Sequence, residues 1–304
     1  MLIASLMLAT VVASACRQGG SVNARSSARR GARPEMLVST AWLAQHVTDA
    51  NLVVLHVGRR AQYDSGHIAG ARFVALADVS TAAGPGKLTL QLPPVEQLSA
   101  WAKDNGITDQ SRIVVVPHDD TLQLATRVFL TLAYLGTLDR TSLLDGGYKA
   151  WKSEARASVT VAPGAAAAGT FTPRPQPELI ATITQVELAT QSGNLSIVDA
   201  RLPRFYNGDG GGFPRPGHIP TAVNIPLTSV ADNGHFKAPT ELRRLFTDAG
   251  VTDGKPVVTY CHIGQQASLL WFVATMLGYD ARLFDGSFQE WSGTERLPIV
   301  APKK

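Results

Sequence analysis

The sequence PVVTYCHIGQQASLLWFVATMLG, residues 256–278, decides the fold. It opens with a short apolar run over residues 256–260 and closes with a longer apolar segment over residues 267–278. A short run of this kind predicts a buried strand, and the longer segment predicts a buried helix. Cys261 and the loop 262–266 join the two elements. We therefore expect a strand–loop–helix unit of an α/β fold, with Cys261 at the carboxyl end of the strand.

The same arrangement occurs twice in the chain. NLVVLHV (51–57) and SGHIAGA (65–71) in the first half correspond to LSIVDAR (195–201) and PGHIPTA (216–222) in the second. LDGGYKAW (144–151) corresponds in the same way to FDGSFQEW (284–291). Between these segments, each half has an apolar strand pattern followed by a helix pattern. The repeat predicts two domains of the same fold.

The alternation of strands and helices predicts the α/β class, with two tandem domains that each form a mainly parallel sheet with helices on both faces. We expect one domain over residues 36–160, a Pro-, Gly- and Ala-rich linker over 161–178, and a second domain over 179–304. Ligands of such sheets bind outside the carboxyl ends of the strands, which is where Cys261 is predicted to lie.

The repeat provides an internal comparison, because features present in both halves are expected to serve the fold. Gly-His-Ile occurs in both, so His67 and His218 are interpreted as structural. Alignment of the strands sets His118 or Asp119 opposite Cys261, and alignment of 195–201 with 52–58 sets Gly58 opposite Arg201. The first half thus lacks both the thiol and the arginine, and we expect it to be catalytically silent.

Cys261 is the only cysteine after Cys16. A thiol over the start of a helix lies where backbone N–H groups and the helix dipole favour an anion. This placement predicts a lowered thiol pKa and a reactive thiolate.

The N-terminal end predicts export from a bacterial cell. Residues 1–15 are apolar or small and uncharged, and they end in Ala-Ser-Ala before Cys16, as a secretory signal does. The pattern favours a lipidated Cys16 that tethers a periplasmic protein to the membrane, and ordinary cleavage with Cys16 as the mature N-terminus is the alternative. Residues 16–35 are predicted to be a flexible tether.

The charge of the chain is concentrated in that tether. Residues 17–35 hold five Arg and one Glu, which equals the net charge of +4 of the whole chain. Residues 36–304 are therefore about neutral and show no electrostatic footprint for nucleic acid. The acidic residues after His118 are interpreted as the start of a helix, and the chain has no metal-binding or phosphate-binding motif. We expect no metal and no cofactor.

The paired halves, the Gly-His-Ile-Pro turn, the Tyr-Cys-x-x-Gly loop and the Asp-Gly-Ser-aromatic-x-x-Trp segment resemble the tandem-domain rhodanese family of sulfurtransferases over about residues 36–300. The resemblance implies a silent first domain and a second domain whose cysteine carries sulfur as a persulfide. Carried over by position, Cys261 is the sulfur acceptor. The same comparison implies a set of substrate-binding residues, namely Arg201, Arg204, His262, Ile263, Gly264, Gln265 and Gln266. Arg204 is offset by one residue from the family's spacing.

The implied activity is transfer of sulfane sulfur from a small anionic donor, with thiosulfate favoured, to a thiophilic acceptor such as cyanide or a thiol. His262 and Ile263 match neither the basic loops of many thiosulfate-using members nor the Gly-Ser-Gly of mercaptopyruvate-using ones, so the donor stays open. A cysteine-dependent phosphatase requires Cys-x5-Arg, and the sixth residue after Cys261 is Ala267. A non-enzymatic module that senses sulfur or binds a partner is the remaining alternative.

Overall fold

The computed structural model describes residues 31–119, 121–166 and 169–301. The predicted signal segment, the lipidation site Cys16 and most of the predicted tether lie outside these residues and stay predictions. Within the described ranges, no helix combines the length and the hydropathy of a membrane span.

Two five-stranded sheets form the framework, one from each half of the chain. The strands of the first half are β1 (Leu37–Val38), β2 (Leu52–Val57), β3 (Arg72–Val74), β4 (Arg112–Pro117) and β5 (Thr141–Leu144). Those of the second half are β6 (Ile180–Ala181), β7 (Ser196–Asp199), β8 (Val223–Asn224), β9 (Ala231–Asp232), β10 (His235–Phe236), β11 (Val257–Tyr260) and β12 (Ala281–Phe284). β9 and β10 form a separate antiparallel hairpin.

Helices cover both sheets. They are α1 (Thr40–His46), α2 (Arg60–Ser65), α3 (Val95–Asp104), α4 (Leu122–Tyr134), α5 (Gly147–Ser153), α6 (Ile183–Ser192), α7 (Pro203–Tyr206), α8 (Pro239–Asp248), α9 (Ala267–Met276) and α10 (Ser287–Gly293). The strand–loop–helix unit predicted around Cys261 is β11 followed by α9.

The two sheets have the same topology. Their strand orders are β1-β5-β4-β2-β3 and β6-β12-β11-β7-β8, and all pairings within them are parallel. This confirms the predicted fold class of two tandem α/β domains.

The register of the sheets corrects one detail of the repeat alignment. His56 pairs with Val116 on β4, and Asp199 pairs with Tyr260 on β11. The residue opposite Cys261 in the first domain is therefore Pro117, not His118 or Asp119, and His118 corresponds to His262. The same register places Gly58 opposite Arg201, as predicted.

The domains pack through equivalent helices. α4 lies against α9, and the hydroxyl oxygens of Thr126 and Ser268 are 2.9 Å apart at their crossing. The rings of Phe129 and Phe272 meet edge to face, with centroids 4.9 Å apart. One apolar core runs through the contact, and Cys261 belongs to it. Burial of this continuous apolar surface holds the two domains together.

Candidate active site

Cys261 follows β11 directly, and its backbone is fixed on both sides by α10. Its N–H donates to the hydroxyl of Ser287 at 3.2 Å, and its carbonyl accepts from the N–H of Phe288 at 3.0 Å. The carbonyl of His262 accepts in turn from Gln289 N–H at 3.0 Å. The start of one helix therefore orients the cysteine toward the start of another, α9.

The thiol environment contains both a destabilising and a stabilising influence on the thiolate. Cys261 is fully buried, and this burial raises the pKa of its thiol. The backbone amides of Ala267, Ile263, Gln266 and Gly264 lower it, but the net shift is upward. The prediction of a lowered pKa was thus wrong, because a low-polarity core opposes the charge. The loop amides do lie around the sulfur, as predicted, and their stabilisation of an anionic sulfur stays a prediction.

Gly264 forms the corner of the loop. Its φ of +86° lies in the left-handed region, where a Cβ is unfavourable. A Cβ at this position would also lie 2.6 Å from the carbonyl oxygen of Asp285 and 2.8 Å from its carboxylate Oδ1. Only glycine allows the amides on both sides of this corner to turn toward the sulfur.

Aromatic rings pack against His262, the residue that follows Cys261. The half-buried His262 meets Phe205 edge to face at 4.8 Å between ring centroids and stacks on Phe213 at 5.9 Å. Its Nδ1 is 3.3 Å from Oε1 of Gln266. Burial lowers the pKa of His262, so its ring is neutral at pH 7 and contributes packing rather than positive charge to the site.

Arg201, predicted to bind substrate, is buried and paired with a carboxylate. Its guanidinium donates from Nε to both oxygens of Asp199 at 3.0 Å and from Nη2 to Oδ2 at 2.6 Å. Nη2 also donates to the carbonyl of Gly217 at 2.8 Å, and the guanidinium carbon lies 4.1 Å from the ring centroid of Phe288. A buried, neutralised guanidinium of this kind supports the Gly-His-Ile turn, and its contact with a donor stays a prediction.

Arg204 is the arginine that faces solvent near the site. It lies in α7, and its guanidinium carbon is 4.4 Å from the ring centroid of Phe205, the same ring that contacts His262. No carboxylate of the described residues forms an ion pair with it. Of the two arginines predicted to bind substrate, Arg204 is exposed and Arg201 is buried.

The remaining loop residues shape the turn. The carbonyl of Gln265 accepts from the N–H of Ser268 at 3.3 Å and from its hydroxyl at 2.7 Å, which begins α9. Ile263 contributes its amide to the thiol, and Gln266 contributes both its amide and its contact with His262.

The two shared histidines are structural, as the repeat indicated. Nδ1 of His67 lies 2.9 Å from the carbonyl of Tyr63, and Nδ1 of His218 lies 2.8 Å from that of Tyr206. Each ring stacks on that same tyrosine with centroids 3.7 Å apart.

Sequence reasoning missed the contribution of Ser287. It occupies the repeat position of Gly147, keeps a positive φ of 51°, and uses its hydroxyl to accept from Cys261 N–H. The signal was present, since this position differs between the two otherwise similar Asp-Gly-x-aromatic segments.

The corresponding region of the first domain holds a buried histidine pair instead of a thiol loop. Nε2 of His56 lies 2.8 Å from Nδ1 of His118, and Nδ1 of His56 has no partner among the described residues. Burial lowers the pKa of His56 to about 3 and also lowers that of His118. In the described part of the chain no three His, Cys, Asp or Glu residues form a candidate metal site.

The buried pair of His56 and His118 predicts that the free energy of unfolding decreases in acid. The neutral rings are the folded form, while the unfolded chain binds protons below the ordinary histidine pKa of about 6.5. Stability is therefore full above pH 6.5 and is lost as the pH falls toward 3. Between pH 7.5 and pH 5, His56 alone accounts for a loss of about 2 kcal/mol. Urea unfolding at the two pH values measures it, and His56→Leu should flatten the difference. An equally steep loss in that variant would contradict the assignment.

The site is thus a buried cysteine at a strand–helix junction, surrounded by main-chain amides, in the second of two repeated α/β domains. The model of the rhodanese-like domain matches twice, at residues 39–154 and 182–294. The chain belongs to the rhodanese-like family and is a sulfurtransferase.

Characterised relatives extend over nearly the whole chain. The 3-mercaptopyruvate sulfurtransferase of Escherichia coli (strain K12) is 29% identical over 283 residues, which cover 88% of this chain and 98% of the relative. The thiosulfate sulfurtransferase of Corynebacterium glutamicum is 32% identical over 283 residues, 88% of this chain and 91% of the relative. The crystal structure of SseA from E. coli, a 3-mercaptopyruvate sulfotransferase, matches with a TM-score of 0.74 at 28% identity and covers 83% of this chain and 98% of SseA. These relatives differ in the donor that their names give.

Proposed function

We propose that this protein transfers the sulfane sulfur of thiosulfate, through a persulfide on Cys261, to cyanide or a thiol. The observation that carries the proposal is the set of four backbone amides around the Cys261 sulfur. An anionic terminal sulfur placed among these amides is stabilised without a bound cation. The names of the relatives give two small sulfur compounds as donors, 3-mercaptopyruvate and thiosulfate.

The reaction divides into two displacements. The Cys261 thiolate attacks the outer sulfur of thiosulfate, a new S–S bond forms, and the S–S bond of thiosulfate breaks to release sulfite. Cyanide then attacks the terminal sulfur of the persulfide, and thiocyanate leaves as the thiolate is restored. A covalent intermediate replaces one difficult transfer by two easier ones. Burial of Cys261 protects the persulfide between the two steps, because other thiols cannot reach it before the acceptor enters.

Access of a donor to the sulfur requires movement of neighbouring groups. Cys261 has no exposed surface, and the segment Gly208–Gly212 that follows α7 lies near His262. Gly211 would place a Cβ 3.7 Å from Nε2 of His262 and 3.5 Å from the ring of Phe205. We infer that this glycine-rich segment and the rings of Phe205 and Phe213 move aside together when a donor enters.

The exposed Arg204 is the proposed anion-binding group at this entrance. Replacement by alanine removes a charge-assisted contact to the sulfonate end of thiosulfate, so KM for thiosulfate should rise about tenfold, which corresponds to about 1.4 kcal/mol. The rate at saturating donor should change little. Steady-state thiocyanate formation measures both constants.

Arg244→Ala is the matched control, because Arg244 is an exposed arginine on α8, in an i,i+4 pair with Asp248. Its KM should equal that of the wild type. An unaltered KM in Arg204→Ala would contradict the binding role. A parallel donor series with thiosulfate, 3-mercaptopyruvate and a thiosulfonate tests the donor choice, and a higher kcat/KM for mercaptopyruvate would overturn the preference for thiosulfate.

A further inference from the structure

The silent domain reaches the cysteine loop through one buried arginine. Arg127 lies on α4, and its side chain has no exposed surface. Nη1 donates to Oδ1 of Asp285 at 2.5 Å, across the domain interface, and Nη2 donates to the carbonyl of Leu90 at 2.6 Å. The described residues offer no partner to its Nε. Desolvation of a fully buried guanidinium costs free energy unless an opposite charge and hydrogen bonds compensate it.

This ion pair lies directly behind the corner of the cysteine loop. The position of a Cβ on Gly264 is 2.8 Å from Oδ1 of Asp285 and 3.4 Å from Nη1 of Arg127. The other carboxylate oxygen of Asp285 accepts from the N–H of Leu92 at 2.8 Å, again from the silent domain. Both oxygens of the carboxylate under the loop are therefore held by the first half of the chain.

Without a compensating charge, the carboxylate of Asp285 would destabilise the anionic sulfur on Cys261. Asp285 is a negative charge beside amides that must stabilise a thiolate and a persulfide, and charges in a buried site interact strongly. Its field is evident at Glu290, whose pKa is raised by burial and by the charge of Asp285. The guanidinium of Arg127 supplies the compensating charge at the shortest distance.

We propose that Arg127 is a positioning residue for the sulfur-carrying loop, one that neutralises Asp285 and fixes the Gly264 corner, so that the silent domain takes part in sulfur transfer. The inference rests on the proposed function, since it assumes that Cys261 carries an anionic sulfur. Arg127 touches neither donor nor acceptor and acts through Asp285.

The test uses opposite charge changes in the same pair. In full-length protein carrying Cys16→Ser, Cys261 is the only cysteine, so the pH dependence of its alkylation by iodoacetamide, followed by mass spectrometry, reports the titration of this thiol alone. Arg127→Met leaves the carboxylate uncompensated and should raise the thiol pKa by about one unit, with an about tenfold slower persulfide formation from thiosulfate at fixed pH. Asp285→Asn leaves the guanidinium uncompensated and should lower the thiol pKa. Loss of packing alone would not move the pKa in opposite directions.

Three further variants separate charge from structure. Arg127→Lys keeps the charge and should recover part of the rate lost in Arg127→Met. The double variant Arg127→Met/Asp285→Asn removes both charges and should return the thiol pKa toward the wild-type value. Arg140→Met is the control, because Arg140 donates to the carbonyls of Thr108 and Ser111 within the silent domain, and its loss should leave the thiol pKa unchanged.

Each outcome supports or overturns either the role of Arg127 or the proposed function. Opposite shifts in the two single variants support the role of Arg127, and shifts of the same sign or unchanged values overturn it. If Arg127→Met does not fold, Asp285→Asn decides alone, since an unchanged or raised thiol pKa there refutes the proposal. Wild-type protein that forms no persulfide overturns the proposed function, whereas normal persulfide formation with unaltered pKa values in both variants overturns only the role of Arg127.

Discussion

Replacement of Cys261 by serine reduces thiocyanate formation from thiosulfate and cyanide to the uncatalysed background. A serine hydroxyl is not ionised near neutral pH and cannot form the S–S bond that holds the transferred sulfur. The fold should survive, because the substitution changes one atom in a buried loop whose backbone is held by Ser287 and Phe288. The rate of thiocyanate appearance measures the effect, and circular dichroism confirms the fold.

Cys16→Ser is the natural control for this experiment, since it removes the other cysteine of the chain. It should retain the wild-type rate in solution. Activity of Cys261→Ser clearly above the background would mean that sulfur moves by another route, and the covalent assignment would be abandoned.

Gly264→Ala has the second-largest expected effect. The left-handed φ of +86° disfavours any residue with a Cβ by about 1–2 kcal/mol. The added methyl group also meets the carbonyl oxygen of Asp285 at 2.6 Å, so the loop must shift away from the sulfur. We expect the rate of persulfide formation to fall at least about tenfold, because the amides of the loop are displaced from the sulfur by a fraction of an ångström or more.

Gly254→Ala separates the two causes. Gly254 has nearly the same φ, +84°, but a Cβ there has no described atom within 4 Å. Both variants should lose a similar conformational free energy of unfolding, and only Gly264→Ala should lose activity. Equal activities of the two variants would show that the corner of the loop does not orient the amides.

The repeat made most of the fold predictable. Strand–helix alternation and matched segments were sufficient for two parallel sheets of the same strand order, because each half follows the same hydrophobic pattern. The position of Cys261 at a strand end and of a glycine at the corner of the following loop was also predictable, because only local sequence is needed for such features.

The pairing of Arg201 was less predictable than its presence in one half only. Arg201 is balanced by Asp199, which is also found only there. The first domain has His56 and Gly58 at these positions. The two differences form one buried pair, so compensation within the fold is sufficient to explain their joint occurrence.

The thiol pKa and Arg127 depend on packing between distant segments. The helix start next to Cys261 is visible in the sequence, but the apolar core that buries the sulfur is assembled from both domains. Arg127 and Asp285 are 158 positions apart, and no local pattern joins them. The alignment also places Leu269 rather than a charge near the equivalent position of α9, so the repeat carries no signal for this contact.

The mass of the protein after exposure to thiosulfate shows whether Cys261 accepts a sulfur atom. Intact-protein mass spectrometry, followed by analysis of the peptide that contains residue 261, should show a gain of one sulfur atom on Cys261 that disappears when cyanide is added. A wild-type protein that gains no sulfur, or gains it on Cys16 while Cys261 stays unmodified, would contradict the account.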